Sequence, residues 1–500
     1  MASTSSFSLY GLTPEAAYQK LDVEIARLES CLSAFRTLRN SLSPICKIPV
    51  GLLSKVLIHT QEWDDSTFCD DRDLHTRFSV SWVCRHWRDV ALTTPSLWAV
   101  ISAKKETILR SDFVEELLTR SCNAGLAVNL YKPSSDVLES CLAHMPRVQH
   151  FRLKYPYEER VVELVLEPAP IIVSLELINV ALASTPIFSK VHPRLRHLVI
   201  EKVPFTISPS ITPNLTTLRI VGPSWPIRVE NLVNILPSLP HLTDVTLIQC
   251  LISAEDVVPP SPRPLLPSLQ VLSVLDEGYN AVFDLLMCLD IPQAEVTVAW
   301  PAEYAGEITH SHLDDFWISI GGFLRGAQIF PVRHLRLDKD DADSTADISS
   351  SPLEHRYSFQ FPQQKLDSYV TTYMWLNSDI PLDNLETLVT NDLPKGTLES
   401  LARLTKLRSI KIYTDEAVWT LLRGLCSPRN GSVLCPALKE LILCGIDIEN
   451  DDMPPIDEIL WARHAAGFGL DRLVFVGCRS VDVIDDFKFK KFVEVVEVVN

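Results

Sequence analysis

Apolar and polar positions along this chain of 500 residues follow two different periods. Near the N-terminus Leu21, Ile25, Leu28, Leu32 and Phe35 fall four and three residues apart, and Leu42 extends the seam beyond Arg39. That spacing predicts a helix across residues 13–43 with one apolar stripe. Thr13 suits its N-cap, Pro14 its first position and Glu15 its first turn. Arg39 interrupts the seam, so about two heptads are regular. Such a stripe either packs on the domain that follows or pairs two chains. Ser43-Pro44 ends the helix, because the residue before a proline disfavours the α region. Residues 1–12, rich in Ser, read as a flexible N-terminus. A short amphipathic helix is expected over Pro49–His59, then a polar, acidic segment over Glu62–Asp73. A second helix is expected from about Leu74 to Leu92, closed by Pro95.

Beyond residue 102 a second pattern takes over. It is an apolar residue, two others, an apolar residue, one other and an apolar residue. It occurs at Val148/Phe151/Leu153, Ile172/Leu175/Leu177, Leu195/Leu198/Ile200, Leu215/Leu218/Ile220, Leu242/Val245/Leu247 and Leu269/Leu272/Val274. It returns at Val332/Leu335/Leu337, Leu385/Leu388/Thr390, Leu407/Ile410/Ile412, Leu438/Leu441/Leu443 and Leu470/Leu473/Phe475. A proline precedes most copies, as at Pro193, Pro240, Pro267 and Pro436, and most copies start about 20 to 32 residues apart. A fixed period of that length marks stacked repeats. The last two apolar residues of each copy share one face of a short strand and can point into a core. A degenerate copy sits at Val296/Val298, and the small, acidic stretch 338–352 reads as a loop.

The remaining composition mostly excludes. A net charge of −17 and a pI near 5.2 weigh against binding the nucleic-acid backbone. Twelve cysteines without a C-x-x-C pair suit free thiols in a reducing compartment and give no zinc pattern. No basic n-region and no run of eighteen apolar residues occur, so no signal peptide and no membrane span are expected. The expected compartment is cytoplasmic or nuclear. No G-x-S-x-G, Walker loop or H-E-x-x-H is found, so no catalytic residue, metal or cofactor is assigned.

One motif remains. Ile48-Pro49-Val50-Gly51-Leu52-Leu53-Ser54-Lys55-Val56-Leu57 is followed by Val83-Cys84-Arg85-His86-Trp87-Arg88-Asp89-Val90-Ala91 and Pro95-Ser96-Leu97-Trp98. Over residues 44–101 this resembles an F-box, and the whole N-terminal run resembles a large group of fungal F-box-like proteins. The resemblance implies a helical bundle that docks on a Skp1-like adaptor and through it a cullin. By that match the adaptor-binding residues are Ile48, Pro49, Leu52, Leu53, Val56, Leu57, Val83, Trp87, Leu97 and Trp98. Gly51 departs from the family, which favours an acidic helix former there.

The expected fold class is therefore α/β: a helical F-box-like bundle, then over 102–500 an irregular leucine-rich-repeat solenoid with a parallel sheet. The expected function is substrate recognition within a Skp1–cullin–F-box ubiquitin ligase, without enzymatic activity of its own. The partners are the adaptor and an unknown protein target; no nucleic acid and no membrane are expected. Strand alternation nominates Arg196, His197, Thr217, Asp244, Thr246, Arg408 and Lys411 for target contact. The alternative is a ligase-independent repeat scaffold that dimerises through its N-terminal helix.

Overall fold

The computed structural model describes residues 10, 12–59, 78–102, 109–156, 169–180, 192–203, 213–223, 226–253, 260–276, 279–291, 294–299, 320, 332–339, 343–351, 354–362, 375–376, 380–391, 393, 395–426, 433–447, 456–479 and 489–499. They fall into two compact units, Met1–Glu158 with Glu167–Ile172, and Glu159–Leu166 with Val173–Asn500. Together they make a mixed α/β protein with an N-terminal helix and extensive parallel β-pairing.

The first unit opens with α1 (Pro14–Ser41), whose Thr13 Oγ1 accepts the Ala16 N–H at 3.4 Å and whose first turn holds Pro14 and Glu15. A 3-10 turn (Pro44–Lys47) leads to α2 (Val50–His59). The helix expected from about Leu74 to Leu92 is broken within residues 78–92, and its first residues, 74–77, lie outside the described residues. Residues 78–82 are helical, Cys84 is extended (φ −161°), and α3 (Arg85–Leu92) restarts behind it. Ser81 Oγ donates to the Phe78 carbonyl at 2.7 Å, a local bond that competes with helix propagation. A 3-10 turn (Pro95–Trp98) then feeds β1 (Val100–Ser102).

The unit does not end at residue 101. β1 pairs in parallel with β2 (Leu126–Tyr131), and β2 with β3 (Val148–Lys154). Helices α4 (Ser111–Arg120) and α5 (Ser135–Leu142) connect them and bury Val114, Leu117, Val137, Leu138 and Leu142. Arg147 ties the end of α4 by donating to the Leu118 and Ala124 carbonyls and to Ser121 Oγ at 3.0–3.3 Å. It satisfies carbonyls that a helix C-terminus leaves without partners.

In the second unit β4 (Ser174–Ile178), β5 (His197–Glu201) and β6 (Thr217–Val221) come first, followed by the two-residue β7 (Ile227–Arg228) and α6 (Val229–Ile235). Then come β8 (Asp244–Ile248), β9 (Leu251–Ile252), β10 (Val271–Leu275), α7 (Tyr279–Cys288) and β11 (Glu295–Ala299). Strands β4, β5, β6, β8, β10 and β11 pair in parallel in that order. The repeated triplets fix the register. Leu175, Leu198, Leu218, Val245, Leu272 and Val296 form one row, and Leu177, Ile200, Ile220, Leu247, Val274 and Val298 a second. Both rows are buried throughout. A one-residue slip would turn a whole row to the opposite face, so the apolar rows specify the pairing.

The stretch expected as a loop is mostly strand. β12 (His334–Lys339), β13 (Asp343–Ser351) and β14 (Glu354–Pro362) form an antiparallel meander across it. Its small polar composition reads as loop by residue type, whereas backbone pairing on both sides of β13 makes it sheet. β14 pairs with β11 and β12 pairs with β15 (Thr387–Thr390), so the meander is inserted between two parallel runs. The second run continues through β16 (Ser409–Ile412), helix α8 (Asp415–Cys426), β17 (Glu440–Cys444), helix α9 (Ile456–Ala465), β18 (Arg472–Val476) and β19 (Val495–Val499).

Two turn devices repeat. Before the strands a four-residue turn closes with an N–H to carbonyl bond, from Leu195 to His192, Leu242 to Leu239, Leu269 to Leu266 and Leu438 to Cys435, at 3.1–3.3 Å. The second residue of each is the upstream proline, whose fixed φ suits that place in a turn. After the strands one residue is left-handed: Asn179, Lys202, Gly222, Gln249, Gly445 and Gly477, with φ from 44° to 65°. Each donates its N–H to the last residue of the neighbouring strand, for example Asn179 to Glu201 at 2.7 Å and Gly445 to Val476 at 2.8 Å.

Candidate docking surface

The motif of residues 48–98 is split by the fold into an inner and an outer set. In α2, Leu53 and Leu57 lie one turn apart on the inner face and are fully buried. They share the core of the first unit with Val90, Ala91, Leu97 and Trp98, the last two also at 0% exposure. Trp98 Nε1 donates to the Ala91 carbonyl at 2.8 Å, Phe78 packs at 5.8 Å from its ring, and the Arg120 guanidinium lies 4.8 Å over it. Ser54 Oγ and Thr94 Oγ1 meet at 3.0 Å and join α2 to the turn behind α3. Thr94 in turn donates to Val90 O at 2.7 Å.

Leu53, Leu57, Leu97 and Trp98 are thus supports, and the expectation that they contact a partner directly is corrected. Helical spacing explains it: residues four apart share one side, and this side faces the core. Leu52 (56% exposed), Val56 (50%) and Val83 (58%) project outward, Pro49 is exposed, and Ile48 and Trp87 are half-buried. Ile45, Val50 and Trp82, which the match did not assign to the adaptor, are exposed as well, the last at 70%. Their apolar character close in sequence to the matched positions is the signal that could have found them. Large apolar side chains are therefore exposed on the same unit whose core holds Leu53, Leu57 and Trp98, and exposed apolar surface of this kind can mark interaction sites.

Two further features lie in the same stretch of chain. Cys46 Sγ and Cys84 Sγ are 3.9 Å apart, and burial, with the Cys84 contact second, pushes the Cys46 thiol above its ordinary range. Trp87 Nε1 and His86 Nε2 are buried and lack a hydrogen-bond partner among the described residues. A buried donor left unpaired costs about 1–3 kcal/mol.

In the second unit, the residues nominated for target contact separate into two groups. His197, Thr217 and Asp244 are register partners on consecutive strands β5, β6 and β8, with Thr246 one step along. His197 Nδ1 and Thr217 Oγ1 are 3.2 Å apart, and Asp244 accepts from Thr243 Oγ1 at 2.6 Å. Arg196 is exposed immediately before β5. Arg408 and Lys411 belong to β16 and the loop before it, beyond the β12–β14 insertion, with Lys411 Nζ 5.1 Å over the Tyr413 ring. The strands therefore do not bring all seven together.

Residue types alone did not reveal the polar network on the last strands. Arg472 donates to Glu440 Oε1 at 2.7 Å and to Glu497 Oε2 at 2.6 Å, and Ser409 Oγ donates to Glu440 at 2.6 Å. The Glu497 and Glu440 hydrogen bonds hold the Arg472 guanidinium pKa above its usual range. Register was the missing information, because strand pairing alone aligns these residues.

A cavity of about 340 Å³ near α9 and β18 is lined by Lys439, His464, Asp471, Lys491 and Glu494 among others. Lys439 and Asp471 pair there at 2.9 Å. Among the described residues no group of three or more His, Cys, Asp and Glu is placed to hold a metal ion, and no helix is long and apolar enough to cross a membrane. Cys69 and His75, close in sequence to His59, Cys84 and His86, lie outside the described residues. No protein-family model matches the chain, and no curated protein matches it.

Proposed function

We propose that this protein is a substrate receptor: its N-terminal F-box-like region binds a Skp1-type adaptor, and its second unit captures a protein for ubiquitination. The observation that carries the reading is the exposure of Leu52, Val56, Trp82 and Val83 in the unit whose core buries Leu53, Leu57 and Trp98. Aromatic and aliphatic anchors held rigidly at a surface are what a protein interface uses as hot spots. For the second unit we propose an irregular leucine-rich-repeat array. The support is the L-x-x-L-x-L frame with its recurring proline turn and left-handed exit residue. The outward residues of β5, β6 and β8 with Arg196, and separately Arg408 and Lys411, are the proposed target contacts. In this reading the chain makes and breaks no bond. It raises the local concentration of its target beside a conjugating enzyme carried by other subunits.

The test is binding of purified full-length chain to a purified Skp1-type adaptor, wild type against Leu52→Asp/Val83→Asp. Both side chains are more than half exposed, so the double variant keeps the wild-type melting temperature and loses binding by at least about 100-fold, the scale of removing two hot-spot residues. A well-folded wild type that does not bind any Skp1-type adaptor would end the proposal.

A further inference from the structure

We infer that α1 is a self-association element, pairing antiparallel with α1 of a second copy of this chain. No residue of α1 is buried. Its seam stands open along about 42 Å of helix, with Tyr18 at 68% exposure, Ile25 at 50%, Leu28 at 54%, Leu32 at 50%, Phe35 at 71% and Leu42 at 69%. The heptad stripe therefore does not pack on the following domain among the described residues. One link from α1 to the rest of its unit, the Arg85 guanidinium donating to Ser33 Oγ at 2.6 Å, uses a polar position outside the seam. With Leu21 the stripe offers on the order of 600 Å² per copy, at the low end of what a specific interface needs. A dimer dissociating in the micromolar range is the expectation.

Charge selects the direction. Tyr18, Ile25, Leu32 and Arg39 take one seam position and Leu21, Leu28, Phe35 and Leu42 the other, so Asp22, Glu29 and Arg36 flank one side and Glu24, Cys31 and Leu38 the other. In a parallel pair Glu24 of each copy would face Glu29 of the other, two like-charge contacts that the ion pair of Glu24 with Arg27 on its own helix, at 2.6 and 2.8 Å, only partly offsets. In an antiparallel pair centred on residue 30, Ile25 meets Phe35, Leu28 meets Leu32 and Tyr18 meets Leu42. Asp22 then meets Arg36 at both ends, against a single Glu29–Glu29 contact in the middle. Arg39 falls at an outer layer opposite Leu21, one residue from Asp22 of the other copy, where its guanidinium can reach water and a carboxylate. The inference goes beyond the adaptor reading and does not rest on it.

The test is sedimentation equilibrium of the full chain between about 1 and 100 µM, the range in which a micromolar dimer dissociates. Expected is a mass rising from 56.2 kDa toward twice that value. Leu28→Asp/Leu32→Asp should stay monomeric throughout with an unchanged melting curve. Asp22→Arg and Arg36→Asp should each weaken the dimer about tenfold, and the two together should restore it. A monomeric wild type, or a dimer that survives the aspartate pair, would overturn self-association through α1. A seam-dependent dimer that the double charge reversal fails to restore would overturn the antiparallel register.

Discussion

The helices that open the first unit and the strands of the second both carry regularly spaced leucines and isoleucines, yet the fold treats them oppositely. In the second unit nearly every residue of the repeated triplet is buried, from Leu195, Leu198 and Ile200 to Leu470, Leu473 and Phe475. In α1 and α2 the same residue types are largely outside: Leu28, Leu32, Phe35, Leu52 and Val56 are all at least half exposed. The difference comes from what each element has beside it. A strand has a neighbour in register, and that neighbour's row continues the apolar layer. A lone helix has one stripe and needs another element to cover it. Periodicity therefore tells where a covered face must be, but not whether this chain supplies the cover.

The sharpest way to break that contrast is to exchange apolar for small or charged residues on each side. Trp98→Ala removes a fully buried ring and its bond to the Ala91 carbonyl, and should cost about 3–5 kcal/mol. Leu441→Ala, in the row between Ile410 and Leu473, should cost about 2–5 kcal/mol. Val56→Asp should stay within about 0.5 kcal/mol of wild type. Denaturant titration of the three variants measures all of this. A Val56→Asp cost comparable to that of Leu441→Ala would mean that the outward face of α2 is covered within the chain.

A second comparison sets Arg147 in the first unit against Arg463 in the second. Both donate to backbone carbonyls, and burial lowers the pKa of both guanidinium groups. Arg463 is only 2% exposed and bonds the Leu434 and Cys435 carbonyls at 2.8 and 3.0 Å. Arg147 is half-buried, so water can replace it when it is removed. Arg463→Ala should therefore cost about 2–4 kcal/mol and Arg147→Ala about 1 kcal/mol, since an orphaned carbonyl is expensive only where water cannot enter. Equal losses in chemical denaturation would contradict that difference in burial.

How much of this was legible beforehand follows the same division. The triplets located the parallel strands and their inward residues, because a two-residue alternation has one solution once a face is buried. The degenerate copy at Val296 and Val298 was found in the same way, and both residues are buried on β11. Strand β13 was not legible, because its small acidic residues are held by backbone pairing on both sides, whereas β14 continues the inward rows of β11 with Tyr357 and Phe359. The left-handed exit residues were missed as a repeating device because glycine stands only at Gly222, Gly445 and Gly477, and Asn179, Lys202 and Gln249 take the other places. In α2 the motif could not divide Leu52, which is exposed, from Leu53, which is buried. Only the orientation of α2 decides which of two adjacent leucines is core.

The glycine pair is the most discriminating comparison, because one substitution type should change sign between the two regions. Gly51 lies within α2, and a Cβ built on it meets nothing within 4 Å. Gly51→Ala should raise stability by about 0.5–1 kcal/mol, by removing freedom from the unfolded chain and improving helix propensity. Gly445, after β17, is also open around its Cβ, but its φ is +65° and its N–H is bound to the Val476 carbonyl. Alanine there strains the backbone without a steric clash, so Gly445→Ala should lower stability by about 1 kcal/mol. Space is equal at the two positions and only the backbone differs, so the paired measurement isolates conformation from packing. A stabilising Gly445→Ala would show that the turn after β17 relaxes out of the left-handed region, and the bond from Gly445 to β18 would then be lost in the variant.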